Sequence, residues 1–140
     1  MTLVLRPARS GDASTVLEWQ QHPETRQFAR NPSVPSEVDH VAWYERKIAS
    51  PDCQFLIIDL DGVPAGVLRL DRSDEEWELS VIVAPNNRRC GIGRAALAAL
   101  DNLRLGRKFV AEVLPSNEVS HRLFRAAGWR ADGDRIYRRP

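Results

Sequence analysis

The chain has 140 residues, of which 43% are hydrophobic and 28% charged, and its formal net charge is +1. This length supports one domain, residues 1–140, with its own core. A near-neutral balance exerts no global pull toward nucleic acid or membrane, no apolar run reaches a membrane helix, and the N-terminus is too short and polar for a signal peptide. Cys53 and Cys90 form no C-x-x-C pair, so free thiols and a cytoplasmic location are expected. His40 and His121 read as surface residues, and no metal-ligand spacing is present, so no metal is expected.

Thr2–Arg6 alternates weakly and predicts a first strand. Gly11-Asp12 opens a helical stretch through Ala13, Val16, Leu17 and Gln20, which stops at His22-Pro23 because the residue before proline avoids the α region. Asn31–Pro35 is a loop, and Ser36 caps a second helix over Glu37–Ala49. The period then changes to two. Gln54–Leu60 and Val63–Leu70 predict a hairpin about Asp61-Gly62, and Trp77–Val83 a further strand. A helix follows from Ile92 to about Leu103, then a short buried strand over Lys108–Val113. Ser116–Ala127 is a helix ended by Gly128, and Arg130–Arg139 a terminal strand or hairpin.

The most informative segment joins the strand ending Val81-Ile82-Val83 to the alanine-rich helix after it. It contains Arg88, Arg89, Cys90, Gly91, Ile92, Gly93 and Arg94. A helix N-terminus offers unpaired N–H groups and a positive dipole end, glycines let an anion approach the backbone, and arginines add planar donors. This pattern predicts a pyrophosphate cradle, held mostly by main-chain N–H groups. The Walker pattern is absent. Gly91-Ile92-Gly93-Arg94-Ala95-Ala96 does read as the dinucleotide pattern G-x-G-x-x-A, with Glu112 placed as the ribose acid would be. Against it, six residues separate Ala84 from Gly91, and only 47 residues follow Gly93.

Arg88-x-x-Gly91-x-Gly93 after Val83-Ala84-Pro85 resembles the acetyl-CoA loop of the GCN5-related N-acetyltransferase (GNAT) superfamily. A second block agrees: a strand ending Val113-Leu114, then Asn117 at a helix start, an aromatic at Phe124, and Gly128-Trp129 at the helix end. The resemblance covers residues 75–135 well and the remainder loosely. It implies an α/β (α+β) fold: a mixed, mostly antiparallel sheet of six to seven strands with helices on both faces. Strands 77–83 and 108–113 would run parallel and splay apart to admit the pantetheine arm of acetyl-CoA.

The activity implied is transfer of an acetyl group to a primary amine through a tetrahedral intermediate. The resemblance puts the Val81 and Val83 backbone and Asn117 at the cofactor arm, although Ser116-Asn117 also suits a helix cap. Cys90 reads as a tolerated small residue that acetyl-CoA would shield from alkylation. For the base, alternation puts Glu76, Glu78 and Ser80 on one strand face. Acidic residues there act through water in the superfamily, which favours Glu78, with Glu76 in reserve. The superfamily often places a tyrosine acid seven residues after the asparagine. Here that cofactor-side position is Phe124, and neither Tyr44 nor Tyr137 matches, so Ser120, a water, or no acid at all would serve.

The first two helices usually shape the acceptor site in this superfamily, and here they hold Trp19, His22, Arg26, Phe28, Asn31, Trp43 and Tyr44. The run Trp19-Gln20-Gln21-His22-Pro23-Glu24-Thr25-Arg26, with Trp43 and Phe55-Leu56-Ile57, is similar to acetyltransferases of nucleotide-linked 4-amino sugars. Aromatic rings would stack on base or sugar, and Arg26 would meet a diphosphate. The helical spacing of Trp19 and Trp43 equally suits a core. Other small amines, an aminoglycoside or a protein N-terminus are alternative acceptors. A non-catalytic acyl-CoA sensor and a nicotinamide oxidoreductase are the rival classes. Nucleic-acid binding rests only on Arg135, Arg138 and Arg139. A monomer or homodimer is expected.

Overall fold

A computed structural model describes residues 2–88 and 90–139. Arg89, assigned above to the cradle, lies outside the described residues. One seven-stranded sheet runs in the order β1-β2-β3-β4-β5-β7-β6. The strands are β1 Leu3–Pro7, β2 Cys53–Leu60, β3 Val63–Ser73, β4 Glu76–Val83, β5 Lys108–Glu112, β6 Arg130–Asp132 and β7 Ile136–Arg138. Every neighbouring pair is antiparallel except β4 and β5. A dinucleotide domain would need a mostly parallel sheet, so the fold removes the nicotinamide reading of the glycine loop.

The helices are α1 Ala13–Gln21, α2 Pro23–Gln27, α3 Glu37–Ala49, α4 Ile92–Asn102 and α5 Glu118–Ala126. Pro23 ends α1 as expected, yet it also starts α2. Its fixed φ suits the first helical position, and the His22 Nδ1 cap accepts from the Glu24 N–H at 3.2 Å. The chain therefore turns through a short extra helix instead of leaving the fold as a loop. α5 begins two residues into the predicted stretch because the Asn117 side chain caps it.

Two apolar clusters cover the two sheet faces. Leu56, Ile58, Leu68, Leu70 and Leu79 pack with α4, α5 and Tyr137. Phe55, Ile57, Val67 and Ala84 pack with Val16, Trp19 and Tyr44 from α1 and α3. The second cluster corrects the surface reading of His40, which is 3% exposed. Its Nε2 donates to the Ala13 carbonyl at 3.0 Å, tying α3 to α1, and burial lowers its pKa. His121 is buried as well, between the Tyr137 hydroxyl at 2.7 Å and the Leu114 carbonyl at 3.0 Å. A carbonyl can only accept, so Nε2 carries the proton and Nδ1 accepts from Tyr137.

Candidate active site

The site grows from the point where β4 and β5 part. Their parallel pairing covers three rows, Glu76 with Lys108, Trp77 with Phe109 and Glu78 with Val110, and then stops. β4 continues to Val83 along β3 alone. The Ala84 N–H donates to Ala65 on the β3 side at 2.8 Å. Main-chain groups alternate direction along a strand, so Ile82 also faces β3, while Val81 and Val83 turn their amides away from it, into the gap. Main-chain groups left there cost free energy unless something polar enters.

Gly66 shapes this gap. It lies beside a bulge in the β2–β3 pairing and opposite Val83. A Cβ there would sit 2.4 Å from the Ile82 carbonyl oxygen and 3.2 Å from the Val83 Cα. Only glycine allows β3 and β4 to approach so closely at the end of β4, five residues past its last pair with β5.

At the end of β4 the chain makes a 3-10 turn over Pro85–Asn87 and enters α4 through Gly91. Gly91 has φ of 76°, a left-handed conformation that favours glycine, and among the described residues no side chain caps the helix. By contrast, His22, Ser36 and Asn117 cap α2, α3 and α5 with side chains. The first N–H groups of α4, from Ile92, Gly93 and Arg94, are thus left for an external acceptor. Gly93 has a packing role too, since a Cβ there would lie 3.2 Å from Leu123 Cδ2 of α5. Cys90 is exposed beside this turn. The Arg88 side chain does something else: Nη2 donates to Thr25 Oγ1 at 2.8 Å and Nη1 pairs with Glu24 at 3.1 Å. It anchors the loop to α2 rather than pointing into the cradle.

Asn117 accepts from the Ser120 N–H at 3.2 Å, the cap expected of a helix start. Asn117→Ala should lower stability by about 1 kcal/mol, read as a shift in denaturant midpoint. No change would mean that the cap is not formed in solution. Ser120 is half-buried in the first turn of α5. Phe124 is a core residue, 5% exposed, stacked on Tyr137 at 5.5 Å and edge-on to Trp129 at 4.9 Å. Its assignment to the cofactor surface is corrected to the core.

Glu78 and Glu112 stand on the α3 side of the sheet at the mouth of the gap. Arg30, from the loop between α2 and α3, bonds Glu78, and its Nε lies 3.5 Å from Glu112 Oε1. Glu76 faces the far end of the strand pair and is tied to Arg138. A hollow of about 800 Å³ at that end is lined by Arg72, Glu75, Glu76, Lys108 and Arg138, away from the gap. Arg138 also pairs with Asp132, and Arg139 with Asp101, so two of the three tail arginines are already engaged.

On the Arg30 side a cavity of about 750 Å³ is lined by Arg26, Asn31, Trp43, Arg46 and Arg69, among others. It unites three of the seven expected acceptor residues: Arg26, Asn31 and Trp43. Trp19 is instead core, 7% exposed, and His22 is the cap of α2. Tyr44 is fully buried with its hydroxyl on the Arg9 carbonyl at 2.6 Å, and burial pushes its pKa up. Arg26 organises the cavity wall by donating to the carbonyls of Asn31 at 2.8 Å and Ser33 at 3.3 Å and to Gln20 Oε1 at 2.7 Å. None of these partners is charged, and desolvation lowers its pKa. The Arg69 guanidinium lies 5.0 Å from the centre of the Trp43 ring, braced by Asp71 at 2.7 Å. Burial alone would raise the Asp71 pKa, but Arg69 and Lys47 outweigh it and hold the carboxyl below its usual range.

Sequence reasoning missed Arg30, Arg46 and Arg69 and considered Glu112 only as a ribose ligand. Arg69 had a signal, since it shares a strand face with Val67, across from Ser80. Arg30 had none, because its partners are 48 and 82 residues away.

The fold is shared with solved structures. The ribosomal L7/L12 alpha-N-protein acetyltransferase RimL, in complex with coenzyme A, superposes with a TM-score of 0.86 at 19% identity, over 99% of this chain and 94% of that one. A spermidine N-acetyltransferase from Vibrio cholerae, with CoA and spermine, gives 0.83 at 18% over 97% and 92%. The aminoglycoside acetyltransferase AAC(6')-Ib with coenzyme A gives 0.81 at 18% over 97% and 91%. No curated protein matches significantly. A family model, the acetyltransferase (GNAT) domain, matches residues 2–130. By the splayed strands, the open helix start and this match, the chain belongs to the GNAT acetyltransferase family.

Proposed function

We propose that residues 1–140 act as one domain that transfers the acetyl group of acetyl-CoA to a primary amine of a small molecule. The observation that carries this is the β4–β5 gap beside an uncapped α4. It joins main-chain groups turned from the sheet to a seat for a pyrophosphate. Val81 and Val83 would hold the pantetheine and thioester, and residues 89–94 the phosphates, with Arg88 bracing the loop against α2. Glu78 would take the ammonium proton through a water. The amine nitrogen then bonds to the acetyl carbon, the carbon–sulfur bond breaks, and the thiolate leaves with a proton from Ser120 or solvent. A thiol pKa of about 8.5 makes departure without a dedicated acid tolerable.

For the acceptor, the cavity that Arg30 links to Glu78 favours a molecule with an aromatic or sugar face and an anion, such as a nucleotide-linked 4-amino sugar. Trp43 offers the ring surface and Arg26 a positive charge with no carboxylate partner. The spermidine and aminoglycoside substrates of the structural neighbours are cations, which this arginine-lined wall would repel. The buried Phe124, which has no proton to give, supports a second reading as a non-catalytic acyl-CoA sensor.

The experiment is thiol release from acetyl-CoA with a panel containing a nucleotide-linked 4-amino sugar, a polyamine, an aminoglycoside and a peptide with a free N-terminus. Turnover that favours the anionic amine supports the reading. Acetyl-CoA binding with no release from any amine would establish the sensor instead.

Cys90 gives an independent check on the cofactor. Iodoacetamide should label exposed Cys90 quickly and acetyl-CoA should slow it, as judged by peptide mass mapping. Cys53 is an internal control, because burial and then Asp71 push its thiol up to about 11. Equal labelling of Cys90 with and without acetyl-CoA would remove it from the cradle. No helix among the described residues is long and apolar enough to cross a membrane. We place the protein in the cytoplasm on its free thiols.

A further inference from the structure

The loop between α2 and α3 puts a guanidinium where the mouth of the gap calls for a cation. Glu78 lies in the last paired row of β4 and β5, and Glu112 lies two residues past its partner Val110. Both carboxylates meet Arg30, through Nη2 and Nε respectively. Two carboxylates brought together disfavour each other's charge unless a cation stands with them. Arg30 supplies that cation, yet its side chain is 60% exposed and, among the described residues, forms no other hydrogen bond. Exposed ion pairs contribute only about 0–1 kcal/mol, so this one is easily exchanged.

An amine acceptor reaches the site as an ammonium, with the same charge and the same kind of donor. We propose that Arg30 is a built-in occupant of the acceptor's ammonium seat, and that a substrate amine must displace it from Glu78 and Glu112. The inference rests on the acetyltransferase reading and adds a specificity device to it. Arg30 shares its loop with Asn31, Ser33 and Val34, which line the Arg26–Trp43 cavity. An amine also held in that cavity gains a second foothold against the resident guanidinium. A simple amine does not. Displacement also frees Glu78 to receive the ammonium proton, so the base is uncovered only when an acceptor is present.

The test uses methylguanidinium as probe, followed through the carboxyl carbon resonances of Glu78 and Glu112 in the full chain. If the resident guanidinium fills the seat nine-tenths of the time, Arg30→Ala should bind the probe about tenfold more tightly than wild type. Arg30→Lys, which keeps a cation on the loop, should bind it as weakly as wild type. In turnover, Arg30→Ala should lower the amine KM by a similar factor, with kcat little changed. Probe binding no tighter in Arg30→Ala than in wild type would overturn the proposal. Acetyl-CoA titrated into the same samples separates the two failures: a seat that takes the probe in a protein that ignores acetyl-CoA would sink the acetyltransferase reading alone.

Discussion

Glu78→Gln should lower kcat by about two to four orders of magnitude while acetyl-CoA binds as before. General base catalysis is typically worth about 10²–10⁴-fold. The substitution keeps the shape of the side chain and removes only its charge and basicity. Glu78 is at the end of the paired rows, on the α3 face, with its side chain 29% exposed and reached from the acceptor cavity through Arg30. Its loss leaves Arg30 one carboxylate, Glu112, so the loop keeps an anchor. Binding of acetyl-CoA draws on Val81, Val83 and the start of α4, none of which the substitution touches. Glu76, the alternative on the same face, is held by Arg138 at the opposite end, so Glu76→Gln should change the rate little. A Glu78→Gln enzyme with wild-type rate and pH–rate profile would remove Glu78 from the mechanism.

Gly66→Ala should destabilise the protein by about 3 kcal/mol and weaken acetyl-CoA binding at the same time. Forcing a methyl group into a packed interior typically costs about 1–3 kcal/mol, and here the obstacle is a backbone oxygen rather than a flexible side chain. The added Cβ would stand 2.4 Å from the Ile82 carbonyl oxygen. Relief requires β4 to move away from β3 between Ile82 and Val83, which turns the Val83 amide from its place in the gap. Denaturant unfolding reads the first effect and a binding titration on the folded variant the second. A variant as stable as wild type, with unchanged affinity, would mean the close approach of β3 and β4 is absent in solution.

How much of this could be read in the residues follows from which forces are local. The strands and the glycine loop were legible because apolar runs end in Asp61-Gly62, Pro85 and Gly91, whose turn chemistry is local. The parting of β4 from β5 was implied only by family resemblance, since parallel register depends on residues far apart in the chain. Pro23 misled because one residue both stops α1 and starts α2. His121 had a signal that was overlooked: it lies three residues before Phe124, on the same buried helix face. Likewise His40 lies four residues before buried Tyr44. Trp19 and Trp43 sit at equivalent helical spacings, yet one is core and the other edges the cavity. Only the packing of α1 beneath α3 decides between them. Arg30 was illegible, because nothing in a polar loop announces carboxylates on two distant strands.

The most direct test of the central claim is a thermal-shift titration with acetyl-CoA, CoA and NADH in parallel. A ligand at about 100 times its Kd adds about 2.7 kcal/mol, enough to raise the midpoint by several degrees in a domain of this size. The gap and the open start of α4 predict a rise with acetyl-CoA and with CoA, and none with NADH. A rise with NADH alone, or with none of the three, would contradict the account.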